Sequence, residues 1–278
     1  MKNSLSQRLR CWSLMAVLSC SFQSGTLGEP IPVRHLEGTV HGFLALRTKE
    51  GHVIAVGDLF QIIRGDRVTS RLVFHFKDGS VDDETAVFTQ RGNFQLITDR
   101  HIQKGPFFPH PMDLSIDRRS GQVRVSSTGK DGKQEVKTEH LDLPPDLYNG
   151  MVFAIVKNIQ PETPETKVSM VVAAPKPRLV KLAISPHGEE RFSLIGSQRK
   201  STRFEIKIEL GGVAGVVAPL IGKQPPDIQI WIVGGQAPAF VREEGPLYQG
   251  GPILSIQLTS PVWRSASLSG GSPRRTRE

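Results

Sequence analysis

Phe204-Glu205-Ile206-Lys207-Ile208-Glu209-Leu210 alternates apolar and charged residues without a break. In an extended chain successive side chains point to opposite faces, so this run has one apolar face and one charged face. A period of two is the signature of a half-buried strand. The same pattern recurs in Leu72-Val73-Phe74-His75-Phe76, Met112-Asp113-Leu114-Ser115-Ile116, Val180-Lys181-Leu182-Ala183-Ile184 and Leu254-Ser255-Ile256-Gln257-Leu258. Ile228-Gln229-Ile230-Trp231-Ile232 alternates less strictly.

Asp78-Gly79, Arg91-Gly92-Asn93, Ser120-Gly121, Asp131-Gly132 and His187-Gly188 read as turns between such runs. Glycine takes positive φ freely there, and Asp or Asn tolerates it. One-faced strands joined by tight turns predict a mainly β fold: a curved, mostly antiparallel sheet or an incomplete β-barrel.

One stretch breaks the rhythm. After Pro144-Pro145-Asp146, residues Leu147, Met151, Ala154 and Ile155 fall on one helical face. Proline and an acid in the first turn suit a helix start. The spacing predicts one main α-helix over 145–158, packed on the sheet. Pro161-Glu162-Thr163-Pro164 then separates an N-terminal strand group, 36–143, from a C-terminal one, 165–263. One continuous sheet and two coupled sheets both fit.

The first 28 residues read as an export signal. Lys2, Arg8 and Arg10 precede a short apolar run from Cys11 to Phe22, and small or polar residues follow up to Gly28. That run is too short to span a membrane, which takes about 20 apolar residues. Cleavage after Gly28 is expected; lipidation at Cys20 is the alternative, and it would tether the protein to a membrane. Cys11 and Cys20 are the two cysteines of the chain, so the domain at 29–263 has no disulfide and no thiolate. A periplasmic or extracellular location follows from the leader.

The formal charge of +8 is concentrated at the ends. The leader contributes +3 and the Ser/Gly/Arg-rich tail, 264–278, another +3, leaving +2 for the body. The tail reads as a disordered basic end. No basic face with interleaved aromatics is visible, so no nucleic-acid partner is expected. Membrane contact is expected only through Cys20 or the tail.

Several stretches resemble uncharacterised exported β-sheet proteins of environmental bacteria. They are Gly57-Asp58-Leu59 through Phe74, Phe76-Lys77-Asp78-Gly79-Ser80, Gln103-Lys104-Gly105-Pro106, Leu143-Pro144-Pro145-Asp146, Gly222-Lys223-Gln224-Pro225-Pro226-Asp227 and Gly245 to Pro252. The resemblance implies no activity, since those proteins have none assigned. In architecture alone, strands around one helix also look like periplasmic lipoprotein carriers of the LolA/LolB type, whose unclosed barrels take acyl chains.

Chemical motifs are scarce. Gly215 lies too far before Gly222-Lys223 for a phosphate loop, and Gln224 stands where Ser or Thr is needed. Ser197-Gln198-Arg199-Lys200 has the bare Ser-x-x-Lys spacing, read here as a polar turn between strands. Arg64-Gly65-Asp66 reads as a strand-to-strand turn. Asp82, Asp83 and Glu84 with His75 have metal-ligand chemistry, but a charged outer strand explains them better. His101 and His110 read as turn or surface residues. No metal and no cofactor is expected.

Six aromatics make the candidate ligand site: Phe74, Phe76, Phe107, Phe108, Trp231 and Tyr248. They could line the mouth of a hydrophobic cavity, against the plainer reading of core and loop packing. The favoured function is non-enzymatic binding of a lipid or other hydrophobic molecule. The rivals are an envelope scaffold with a protein partner, and a hydrolase of envelope polymers using Asp82, Asp83, Glu84 and Asp113.

Overall fold

The computed structural model describes residues 28–128, 133–173, 176–194, 197–209 and 225–260. Residues 1–27 of the leader with both cysteines, the glycine-rich stretch 211–223, the Asp131-Gly132 turn and the tail lie outside the described residues.

The N-terminal strands are β1 (Val40–Arg47), β2 (Val53–Arg64), β3 (Arg67–Phe76), β4 (Val81–Arg91), β5 (Asn93–Lys104), β6 (Met112–Asp117), β7 (Gln122–Thr128) and β8 (Gln134–His140). A short helix, α1 (Val152–Val156), follows. Then come β9 (Thr166–Val172), β10 (Arg178–Leu194), β11 (Ser197–Glu209), β12 (Ile228–Val233), β13 (Ala239–Pro246) and β14 (Ile253–Thr259).

The fourteen strands of the described residues form one sheet, ordered β8-β7-β6-β5-β4-β3-β2-β1-β14-β13-β12-β11-β10-β9. Each pairing is antiparallel, and β1 joins the two strand groups by pairing with β14. The mainly β, antiparallel expectation holds, and the sheet is open: β8 and β9 are its edges. The expected alternating runs lie in β3, β6, β10, β11, β12 and β14.

The inner face buries the core. Leu44, Leu46, Phe74, Phe88, Phe94, Leu96, Phe204, Ile206 and Ile230 are each at most 2% exposed. Each such side chain contributes roughly 1.5–3 kcal/mol of transfer free energy. The outer face carries exposed charge, including the Arg71–Asp83 and Arg100–Asp113 pairs, each at 2.7 Å.

The expected helix over 145–158 is a correction. It shrinks to the five residues of α1, because the backbone ahead of it is engaged elsewhere. Tyr148 N donates to Ser169 O, Ser169 N donates to Asp146 O, and Leu147 forms a parallel bridge with Ser169 of β9. Gly150 then takes φ +65, outside the helical region. The segment is still core: Leu147, Tyr148, Met151, Ala154, Ile155 and Val156 are at most 3% exposed.

Two smaller readings also change. His187-Gly188 is a bulge inside β10, where the register shifts between Pro186 and Glu189 and Gly188 has φ +87. Ser197 to Lys200 opens β11 and is extended rather than a turn.

Candidate functional site

Alternation along β4 sends Asp82, Glu84, Ala86 and Phe88 to the inner face. Ala86 and Phe88 are 1% and 0% exposed. Asp83 points the other way, to the Arg71 guanidinium. The outer-strand reading of this acidic run therefore fails for two of its three members.

Strand β5 contributes the rest. Phe94 and Leu96 face inward, and simple alternation would send Thr98 and Arg100 after them. The register instead jumps from Phe88↔Leu96 to Val87↔Thr98, leaving Ile97 as an extra residue. Such a bulge reverses the parity of everything beyond it. Asp99, His101 and Gln103 therefore turn inward, opposite Ala86, Glu84 and Asp82 respectively.

Asp82 accepts from the inner histidine: His101 Nε2 lies 2.6 Å from Asp82 Oδ1. His101 Nδ1 is 3.9 Å from Glu84 Oε1. Gln103 Nε2 donates to Leu247 O at 2.9 Å and lies 3.5 Å from Asp82 Oδ2. Asp99 is 2% exposed, and neither of its carboxyl oxygens has a hydrogen-bond partner. Glu243 of β13 lies within electrostatic reach of Glu84 and Asp82 from the other side of the inner face.

Gly150 roofs the cluster. A Cβ there would stand 2.8 Å from Asp99 Oδ1, 2.8 Å from the Ala86 Cβ and 3.3 Å from the Glu84 carboxyl carbon. Only a glycine leaves the acids that space.

Crowding sets the protonation. Burial, with Glu84 and Asp82 close by, pushes the Glu243 carboxyl up to about 8. Burial and then Glu84 raise Asp99 well above the usual carboxylate range. Burial also raises Glu84, with His101 opposing. For His101 burial works against the charged ring, but Glu84, Asp82 and Asp99 prevail and raise it to about 10. At neutral pH the cluster thus holds an imidazolium and retains protons on acids.

The aromatic end adjoins it. Phe74 is the cross-strand neighbour of Asp82, and Phe76 lies one place beyond on the same face. The Phe76 ring centroid is 4.5 Å from Phe107 and 5.5 Å from Phe108. Tyr248 meets both Phe107 and Phe108 at 5.9 Å. Phe76 and Phe108 are buried, whereas Phe107 and Tyr248 are half-buried. Strands β5 and β13 are six places apart in the sheet, so residues just beyond them meet across the inner face here.

Five of the six candidate aromatics therefore lie at one end of the inner face. Trp231 does not, which is a correction. It pairs with Arg203 and Arg242, and Arg242 lies over its ring at 4.8 Å. Its Nε1 donates to Glu190 Oε2 at 2.8 Å. Alternation puts it on the face opposite Ile230. The four acids assigned to a hydrolase also separate: Asp83 and Asp113 are outside with Arg71 and Arg100, and Asp82 and Glu84 inside. His75 is exposed and His110 is exposed, but His101 is an inner residue. Asp99, His101 and Glu243 were missed as site residues; the bulge at Ile97 leaves no mark in the sequence.

Among the described residues no group of three His, Cys, Asp or Glu is placed to hold a metal ion. A cavity of about 440 Å³ lies along β4 to β7, lined by Thr85, Thr98, Asp99 and Asp117 among others, and one of about 230 Å³ lies beside α1, lined by Arg34, Asn158 and Phe204. None of the six candidate aromatics lines either of them.

The chain matches no known family and no curated protein. A solved structure that matches is the hypothetical lipoprotein YmcC from Escherichia coli (K12), at 10% identity, covering 81% of this chain and 86% of that chain, with a TM-score of 0.33. A likeness of that strength carries no argument about fold or function. Neither result links the chain to carriers of the LolA/LolB type.

Proposed function

We propose that this is an exported, non-enzymatic binding protein of the bacterial envelope that takes a hydrophobic group, such as a lipid chain, at the aromatic end of its inner face. The leader-like residues 1–28 support export. The convergence of Phe76, Phe107, Phe108 and Tyr248 carries the binding reading. They come from three separate parts of the chain, and the two outermost rings keep partial exposure. Apolar sites on β-sheets are commonly built from such rings at one end. Delipidated protein should bind a fluorescent hydrophobic probe that fatty acids or phospholipids displace. Phe107→Ala and Tyr248→Ala should weaken that binding, and Trp231→Phe should not. No probe binding at all would overturn the reading.

A scaffold is the second reading. The single continuous cluster of buried apolar side chains favours it, as does an exposed stripe on the outer face of β2: Val56 at 61%, Ile62 at 52% and Phe60 at 37%. Such a stripe suits a protein partner. Serine substitution along it should then abolish envelope association while leaving probe binding untouched.

A further inference from the structure

We infer that the inner carboxyl cluster is a receptor for an organic ammonium group, the polar head of the ligand whose apolar part meets the aromatic end. This rests on the binding reading above, because it uses the same end of the inner face as the entrance.

Four carboxyls converge here: Asp82 and Glu84 from β4, Asp99 from β5 and Glu243 from β13. One cation, His101, stands among them, and Asp82 engages it. The cluster is therefore short of positive charge. The shortage is sharpest at Asp99, a carboxyl 2% exposed with both oxygens unpartnered. Buried carboxyls are ordinarily hydrogen-bonded or paired. Asp99 Oδ1 and the Glu84 carboxyl both pack against the same glycine, 2.8 and 3.3 Å from where a Gly150 Cβ would stand, so the two carboxyls are close neighbours under that roof.

The cluster is not arranged as a metal site. Metal ligands must converge within about 2.0–2.6 Å of one centre, and no three acidic or histidine side chains among the described residues do so. An ammonium is less demanding. Its three N–H donors can take oxygens from two carboxyls and a water, each at about 2.8 Å. Access exists: the Glu84 and His101 side chains keep 26% and 20% exposure. The rings of Phe107 and Tyr248 stand a short step away, joined to the cluster through Gln103, which reaches both Asp82 and Leu247 O. Methylenes next to an ammonium fit such rings, and the charge itself is attracted to their faces. An alkylammonium matches both halves.

The facing groups also define a proton signature. Glu84, Asp99 and Glu243 are pushed toward their neutral forms by burial, and His101 toward its charged form by the acids around it. An entering ammonium displaces some of the carboxyl protons, so binding tightens as pH rises from 6 to 8.

Calorimetric titration of the whole protein with octylammonium, octanol and ethylammonium tests this, in buffers of different ionisation enthalpy. Octylammonium should bind at least tenfold more tightly than octanol, with proton release. Asp99→Asn and Glu84→Gln should each weaken it about tenfold or more, and Asp83→Asn on the outer face should not. Melting curves of each variant check that it is folded, and Glu243→Gln gives an independent second probe. Equal binding of octylammonium and octanol would overturn the ammonium site and leave the hydrophobic reading standing. Ethylammonium binding as tightly as octylammonium would keep the site and overturn the hydrophobic reading. No binding of any of the three would overturn both.

Discussion

His101 Nε2 lies 2.6 Å from Asp82 Oδ1, across the β4–β5 pairing and on the inner face of the sheet. Asp82→Asn replaces the charged acceptor of a largely buried imidazolium by a neutral amide oxygen. It should cost about 1.5–3 kcal/mol, the worth of a hydrogen bond to a charged group. Asp83→Asn, one residue away, loses only the outer-face pair with Arg71 and should cost about 1 kcal/mol or less. Urea unfolding of the two variants measures the contrast. Equal costs would put both acids on one face.

Stability should fall as pH rises from about 5 to 10. Glu243 and Asp99 have raised folded values, Glu243 about 8, so their protonated forms favour the fold. That contribution is present at acid pH and is lost as pH climbs from the ordinary carboxyl range, near 4, through the folded value. His101, raised to about 10, adds a contribution present below about 6.5 and lost through about 10. Asp83, lowered by its hydrogen bonds from Arg71, acts oppositely and weakens the fold only at strongly acid pH. Unfolding midpoints at pH 5, 7 and 9 should therefore decline in that order.

Asp99→Asn should flatten this decline. The amide removes a charge that the buried site leaves unpaired. The variant should gain about 1–3 kcal/mol over the parent at pH 9 and little at pH 5. A variant less stable than the parent at pH 9 would mean that Asp99 has a partner.

Gly150→Ala should destabilise more than Gly51→Ala. Both glycines have positive φ, +65 and +87, so both substitutions carry a backbone cost of about 1–2 kcal/mol. At Gly51 the new Cβ meets nothing within 4 Å, whereas at Gly150 it meets Ala86, Asp99 and Glu84. The difference between the two measured costs isolates the roof over the acids.

Tyr148→Phe tests the segment that replaces the expected helix. The Tyr148 hydroxyl accepts from Ile31 N at 2.8 Å and donates to Phe94 O at 3.4 Å. Removing it leaves a buried N–H unsatisfied, at a cost of about 1–3 kcal/mol. Hydrogen exchange at Ile31 should accelerate along with the loss of stability.

The strands were legible because each apolar-and-charged alternation acts locally. Phe204 to Glu209 needs no information beyond its own period. The helix over 145–158 was misread because its backbone partners, Ser169 and its neighbours, lie more than a turn of chain away in β9. The aromatic end was partly legible, since Phe107-Phe108 and Tyr248 stand out among glycines and prolines. Trp231 misled because its isoleucine neighbours belong to the opposite face. The acid cluster was hidden by a single residue: Ile97 reverses the parity of β5 and so brings Asp99 and His101 to the inner face, and nothing local announces a bulge.

The most direct test is the titration of the His101 imidazole, followed by its ring carbon resonance from pH 5 to 11. Enclosure among Glu84, Asp82 and Asp99 predicts an imidazolium that survives to about pH 10. A midpoint near 6.5, the value of a free imidazole, would put His101 in open water and dissolve the cluster on which the ammonium site depends.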